Sequence, residues 1–263
     1  SSATAPAAGV WAISRAMGGP ATDRTRLAFF PTGAAPSIAP ADVGLCRAND
    51  IVGLSEGGAN DAYATLDRGA CGGFTRFAEE IFGLKRGAVA VVRDGRLHAL
   101  ALDGLDIPNG IAIAPAGPDA GLRRWIAIAQ TRGRRVSWAV EDDPGGALTI
   151  MAETPLAGGP DNLNRLNNDD DRLLAVAFDS LFSVFLHRLA PGSFDPPSST
   201  VHLLSPPPAF GAPAPPARVA MGVPGDLYAG ATVAAYDGDR TLLVGSATET
   251  GLLVCDWSPP PRS

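Results

Sequence analysis

Four short polar residues stand at corresponding places in an otherwise apolar, turn-punctuated chain: Asn49, Asn109, Asp161 and Asn162. Their amide and carboxylate oxygens form a hard, all-oxygen donor set with no Cys or His. Such a set fits Ca2+, which takes roughly 6 to 8 oxygens at about 2.3–2.6 Å, and disfavours zinc. Each residue alone also has a plainer reading. Asn109-Gly110 can be a tight turn, Asp161-Asn162 after Gly158-Gly159-Pro160 a loop with Asx turns, and Asn49-Asp50 a turn at a strand edge. Recurrence at a regular interval is what singles the set out.

That interval belongs to the elements that must position these side chains. Asn49-Asp50-Ile51-Val52-Gly53, Asn109-Gly110-Ile111-Ala112-Ile113 and Asp161-Asn162-Leu163-Asn164 each open a unit of polar start, strand, turn and second strand. The steps from 49 to 109 and from 109 to 162 are 60 and 53 residues, somewhat above the roughly 40 to 50 of common four-stranded propeller blades. Loop insertions account for the excess. In a propeller the innermost strand of each blade begins near one mouth of the central channel, so equivalent opening positions converge on one point.

Strand-length apolar runs bounded by Gly, Pro, Asn or Asp recur along the whole chain, which predicts an all-β protein. They are Val10–Ser14, Leu27–Phe30, Ala88–Val92, Leu97–Leu102, Gly110–Ala114, Trp125–Ala129, Val136–Val140, Leu173–Phe178, Val184–Leu189, Thr232–Tyr236, Thr241–Gly245 and Leu252–Cys255. Phe74–Leu84 is the exception. Its Phe74, Phe77, Ala78, Ile81 and Phe82 follow a helical period. The Pro-rich stretches Ala190–Thr200 and Ser205–Pro224 read as surface loops. A fourth unit opens near Gly230 and ends at Cys255, and the strands before Asn49 look like the end of an earlier blade. The count is about four and a half blades in one domain, residues 1–257, with 258–263 a disordered tail. Because a propeller hides its sheet edges by closing into a ring, this reading expects further blades N-terminal to the chain.

The chain has 263 residues, 46% hydrophobic and 18% charged, enough to bury a large core. Its 21 basic against 27 acidic residues give a net charge of −6, which provides no basic footprint for nucleic acid or an anionic membrane. No apolar run reaches the roughly 18 to 20 residues of a membrane span. Cys46, Cys71 and Cys255 show no CxxC pairing.

Read together, the motifs resemble one family. Asn49-Asp50-Ile51-Val52 followed by Tyr63-Ala64-Thr65-Leu66-Asp67, then Pro108-Asn109-Gly110-Ile111-Ala112-Ile113-Ala114-Pro115, then Pro160-Asp161-Asn162-Leu163, and finally Leu227–Asp256 are similar, in order and spacing, to segments of the paraoxonase/arylesterase family. The likeness runs over roughly residues 10 to 257. Strings like Asn109–Ala112 also occur in gluconolactonase-like and strictosidine-synthase-like propellers. The resemblance implies a six-bladed β-propeller and a calcium-dependent hydrolase of lactones and aryl esters. It implies that Asn49, Asn109, Asp161 and Asn162 hold the catalytic Ca2+, with Asn109 and Asp161 at the reacting centre. Asp50 would reach a second, structural Ca2+, and Cys255 matches a cysteine that closes the ring by a disulfide to an N-terminal strand. The implied partner is a small ester or lactone, and the family favours a secreted or extracytoplasmic location.

Departures are equally plain. The family's Glu-Asp pair that completes both calcium shells has no counterpart in this chain. A histidine of its dyad would fall near Arg15–Met17, and a pocket histidine at Ala177 or Phe178, where this chain has none. His98, His187 and His202 lie in strand patterns and read as ordinary partly buried residues. Asp67 is a weaker pocket candidate, and Phe74 and Phe178 are candidates for an apolar wall. Propellers with another substrate, and a non-catalytic calcium-stabilised propeller, are the alternatives.

Overall fold

A computed structural model describes residues 9–15, 25–31, 37–38, 47–54, 61–70, 73–93, 96–115, 124–141, 146–167, 170–190 and 192–261. The described residues form five sheets of sequence-adjacent strands. The first is β1 (Gly9–Arg15), β2 (Thr25–Pro31) and β3 (Ser37–Ile38). The second is β4 (Ala48–Gly53), β5 (Ala62–Leu66), β6 (Gly87–Arg93) and β7 (Arg96–Leu105), with α1 (Gly73–Phe82) between β5 and β6. The third is β8 (Pro108–Pro115), β9 (Arg124–Gln130), β10 (Arg135–Glu141) and β11 (Leu148–Pro155). The fourth is β12 (Gly159–Arg165), β13 (Leu173–Phe178), β14 (Ser199–Leu204) and β15 (Arg218–Val223), with α2 (Leu181–Leu189) between β13 and β14. The last is β16 (Ala231–Tyr236), β17 (Thr241–Ser246) and β18 (Leu253–Asp256). Eighteen strands amount to four and a half blades of four.

Position within a sheet explains how legible each strand was. The middle strands β6, β9 and β13 are buried on both faces, so they read as apolar runs; β5 is equally buried but is interrupted by Thr65. The last strands β7 and β11 are largely exposed, and β11 alternates.

Compactness divides the chain into unit 1, residues 1–111 and 141–149, and unit 2, residues 112–140 and 150–263. The core of unit 1 is made of small side chains: Ala48, Ala62, Ala64, Leu66, Ala88, Ala90 and Val92, with Ile13, Ile51 and Leu97 against them. Fully buried Tyr63 keeps its hydroxyl satisfied by donating to Glu141 Oε2 at 3.2 Å. One core of unit 2 centres on Trp125 and Trp138, edge to face at 6.5 Å, with Phe210 4.9 Å from Trp125. Trp138 is wholly buried and donates its Nε1–H to Thr154 Oγ1 at 2.9 Å, as a buried indole requires. The other core joins Leu166, Leu174, Val176, Val201 and Leu203 to Ala231, Ala234, Leu242 and Val244.

Two expectations are corrected. Val184–Leu189 is helix, not strand: it is the body of α2, capped by Ser180, whose Oγ accepts from Ser183 N at 3.3 Å. A short apolar run fits either period, and the cap decides it. Within the supposed loop Ser205–Pro224, residues 218–223 form β15, the only Pro-free part long enough to pair with β14. Residues 258–261, expected to be disordered, have no regular structure, but Pro260 O accepts from Arg172 Nη1 at 2.7 Å. Arg172 is itself held by a bidentate pair with Asp170.

Candidate functional site

The site residues of unit 1 sit where a strand breaks its register. Between β4 and β5, Ala48 faces Leu66 and Ile51 faces Ala64, so β4 carries one extra residue across Asn49-Asp50. A bulge of this kind re-aims side chains that regular alternation would send to opposite faces. Asp50 Oδ1 accepts from its neighbour Ile51 N at 2.8 Å, and Oδ2 accepts from Ile111 N on β8 at 2.9 Å. Thr65, fully buried on β5, ties the two strands together. Its Oγ1 donates to Asn109 O at 2.5 Å and accepts from Asp50 N at 3.0 Å. Asp50 and Asn109, 59 positions apart in sequence, are thereby held two hydrogen bonds from one another; Asn49 lies beside them on the same bulge.

The electrostatics of this group favour a cation. Burial pushes the Asp50 carboxyl above the usual carboxylate range, against the pull of the N–H groups of Ile111 and Ile51. Asn109 Oδ1 is buried with no hydrogen-bond partner. An unmet buried acceptor costs about 1–3 kcal/mol. A hard cation would relieve both at once: it takes the amide oxygen as a ligand and stabilises the ionised carboxylate. Among the described residues no group of three or more His, Cys, Asp or Glu is arranged to hold a metal.

The strand leading to Asn109 is strained. Ile107, just before Pro108, has φ 53, a left-handed conformation that is an outlier for a β-branched residue and costs roughly 1–3 kcal/mol. Pro108 is locked from the other side by Gly87, at which a Cβ would lie 2.1 Å from Pro108 Cδ. Sequence reading passed over both Ile107 and Gly87, as well as Thr65. Of these only Thr65 left a trace, inside the Tyr63–Asp67 string.

In unit 2, Asp161 and Asn162 occupy the same kind of place. Pro160 faces Ala177 and Leu163 faces Ala175, so β12 too carries one extra residue, at Asp161-Asn162. A third bulge falls at Thr232 of β16, between Ala231 and Val233. Asn162 Nδ2 donates to Thr232 O at 3.2 Å and Asn164 Nδ2 to Ala234 O at 2.8 Å, linking the first strands of two successive sheets. With its nitrogen engaged there, Asn162 keeps Oδ1 as its remaining acceptor. A bulge near the opening of the first strand is thus common to β4, β12 and β16.

The other candidates fare differently. Asp67 follows the end of β5, its N–H donating to Arg47 O at 3.1 Å and its carboxylate 3.9 Å from Arg68 Nη1. Phe178 is only 2% exposed and belongs to the interior, while Phe74 is 81% exposed on α1. His98 is on β7 with Arg93 Nη1 3.5 Å from its Nε2, His187 is on α2 rather than a strand, and His202 is buried on β14. Cys255 carries a free thiol whose pKa burial pushes up; Cys46 and Cys71, like Ala16 and Met17, lie outside the described residues. No helix among the described residues is long and apolar enough to cross a membrane.

No family model and no curated protein matches this sequence. Among solved structures, the chain is similar to the X-ray structure of a candidate gluconolactonase, with 16% identity, a TM-score of 0.50, and 88% of this chain and 67% of the other covered. That likeness gives the fold: all-β, of the propeller type, each sheet a blade.

Proposed function

We propose that the protein is a calcium-dependent hydrolase of lactones and aryl esters, with Asn49, Asp50 and Asn109 among its calcium ligands. The observation that carries this reading is the partnerless buried Oδ1 of Asn109, a residue that Thr65 joins to Asp50, together with an Asp50 carboxyl that burial pushes up. The ordered paraoxonase-like motifs and the likeness to a candidate gluconolactonase support the hydrolase class.

Bound there, Ca2+ supplies an electrophile for the ester carbonyl oxygen, in place of a protein oxyanion hole. The chain's own residues prepare that position. Thr65 fixes the Asn109 backbone, Asp50 contributes negative charge while its two oxygens pin the starts of β4 and β8, and Asn109 offers its amide oxygen without neutralising the ion. In unit 2, the family resemblance alone assigns Asp161 as a carboxylate ligand and proton acceptor and Asn162 as a neutral ligand. None of the three histidines takes the base's role, since none occupies a position that matches the family's.

A second reading, hydrolysis of sugar lactones, draws on the structural likeness to the candidate gluconolactonase. Phenyl acetate, a simple γ- or δ-lactone and a panel of sugar lactones separate the two. The expected result is hydrolysis of the first two that chelator abolishes and calcium restores, and that Asn109→Ala and Asp161→Ala each remove. Activity confined to sugar lactones would move the assignment to the second reading. Turnover that survives chelation would dismiss the calcium, and absence of both turnover and calcium binding would dismiss the hydrolase.

A further inference from the structure

Unit 1 contains a buried charge that the proposed ligand set does not use. Glu79, in the middle of α1, is 4% exposed, although helix neighbours Phe74 and Phe82 and the following Leu84 are exposed at 81%, 72% and 42%. The contacts of this buried acid are polar and can be traced. Glu79 Oε2 accepts from Gly69 N at 3.0 Å and from Ala70 N at 3.3 Å. Its Oε1 lies 4.0 Å from Arg86 Nη1 and has no hydrogen-bond partner. Arg47 and Glu79 attract one another electrostatically, and Arg47 Nη1 donates to Arg68 O. Gly69 has no room for a side chain: a Cβ there would stand 2.6 Å from Glu79 Oε1 and 2.8 Å from Arg86 Cβ.

The backbone groups that the Glu79 and Arg47 side chains bond, Gly69 N, Ala70 N and Arg68 O, lie in residues 68–70, the direct continuation of β5. Asp67 N donates to Arg47 O, and Arg47 leads straight into Ala48-Asn49-Asp50. Two residues before Asp67 is Thr65, the side chain that joins Asp50 to Asn109. Asp67 follows directly on Leu66, the last residue of β5.

We propose that Glu79 is a positioning residue: by accepting from Gly69 N and Ala70 N it fixes the 67–70 segment, and with it Asp67 and Arg68, as the wall that orients substrate beside Asn49, Asp50 and Asn109. This rests on the hydrolase reading for the word substrate, but the restraint of the segment stands apart from it. α1 acts as a strap over the continuation of β5. A carboxylate receiving two backbone N–H groups is a strong, directional restraint, and its loss frees the wall without touching the proposed ligands.

The test uses the full chain as wild type, Glu79→Ala, Glu79→Gln and Gly69→Ala, with calcium present. Amide hydrogen exchange reads the segment, and KM and kcat on whichever ester or lactone the wild type hydrolyses read the wall. In Glu79→Ala, exchange at Gly69 and Ala70 is expected to rise roughly tenfold or more with β5 and β6 unchanged, and KM to rise about tenfold while kcat stays within about threefold. Glu79→Gln keeps an oxygen acceptor and is expected to restore most of both. Gly69→Ala, which displaces the segment from the other side, is expected to reproduce the KM effect and covers the case in which Glu79→Ala does not fold. Unchanged exchange at Gly69 and Ala70 in Glu79→Ala would overturn the proposal. So would a fall in kcat at constant KM, which lost folded protein alone produces, or Glu79→Gln behaving like Glu79→Ala. A wild type that hydrolyses nothing would remove the reading of function, and exchange would then decide whether Glu79 holds the segment.

Discussion

With one hydroxyl, Thr65 serves two of the strands that carry candidate ligands, β4 and β8. It is fully buried, gives its proton to Asn109 O and takes that of Asp50 N. Thr65→Val keeps the shape and strands both backbone groups, so we expect a loss of about 2 kcal/mol in denaturant unfolding and a smaller calcium-linked rise in Tm. Thr65→Ser should retain most of both. Equal calcium responses in wild type and Thr65→Val would show that the hydroxyl does not organise the ligands. Asn49, Asn109, Asp161 and Asn162 were legible in the sequence because their types and spacing repeat. Thr65, Gly87 and Glu79 were not, because a threonine in a strand, a glycine before one and a glutamate in a helix are all ordinary until a partner 10 to 44 residues away is known.

Among the elements, β8 shows how packing between strands shapes a site. Ile107 at φ 53 turns the chain into Pro108, and Gly87 at the start of β6 leaves the space into which the rigid proline ring fits. Gly87→Ala puts a methyl group 2.1 Å from Pro108 Cδ, and a ring cannot rotate aside. We expect about 1–3 kcal/mol of destabilisation from overpacking, together with weaker calcium binding as Asn109 shifts; isothermal calorimetry beside a melting curve measures both. Normal calcium affinity in this variant would mean that Pro108 is not what places Asn109. The bulges at Asn49-Asp50, Asp161-Asn162 and Thr232 belong to the same scale. Their presence could not be read from residue type, since a bulge is defined by what the partner strand does. Val184–Leu189 failed for a related reason: its apolar run suits two periods, and Ser180 with the helical turn it caps settled the matter.

For the whole molecule, pH provides the most direct probe of the core. His202 is 5% exposed on β14, between Ala175 and Val219 of the flanking strands, and neither ring nitrogen has a hydrogen-bond partner. Burial holds its pKa below the ordinary histidine value of 6.5. The unfolded chain therefore binds this proton at a higher pH than the folded one, so stability falls as pH drops below about 6.5 until the folded group also protonates. His202→Leu should flatten that limb, with a smaller drop in Tm between about pH 7.5 and 5.5 than the wild type shows. An identical drop in both proteins would place the acid sensitivity elsewhere.

Sequence alone was enough for the class of fold, and it singled out the oxygen donors that the calcium proposal uses. Doubly buried blade strands must be largely apolar, turns must be rich in Gly, Pro, Asn or Asp, and a hard-cation set favours oxygen over Cys and His; all three are properties of residue type and spacing. Tertiary structure decided the rest. It added one residue to β4 and to β12, bent Ile107 into a left-handed turn against Pro108, left Asn109 Oδ1 buried without a partner, and buried Glu79 under α1. Each of these is a relation between segments distant in sequence, fixed by which backbone N–H finds which oxygen, and no pattern along a single strand encodes it.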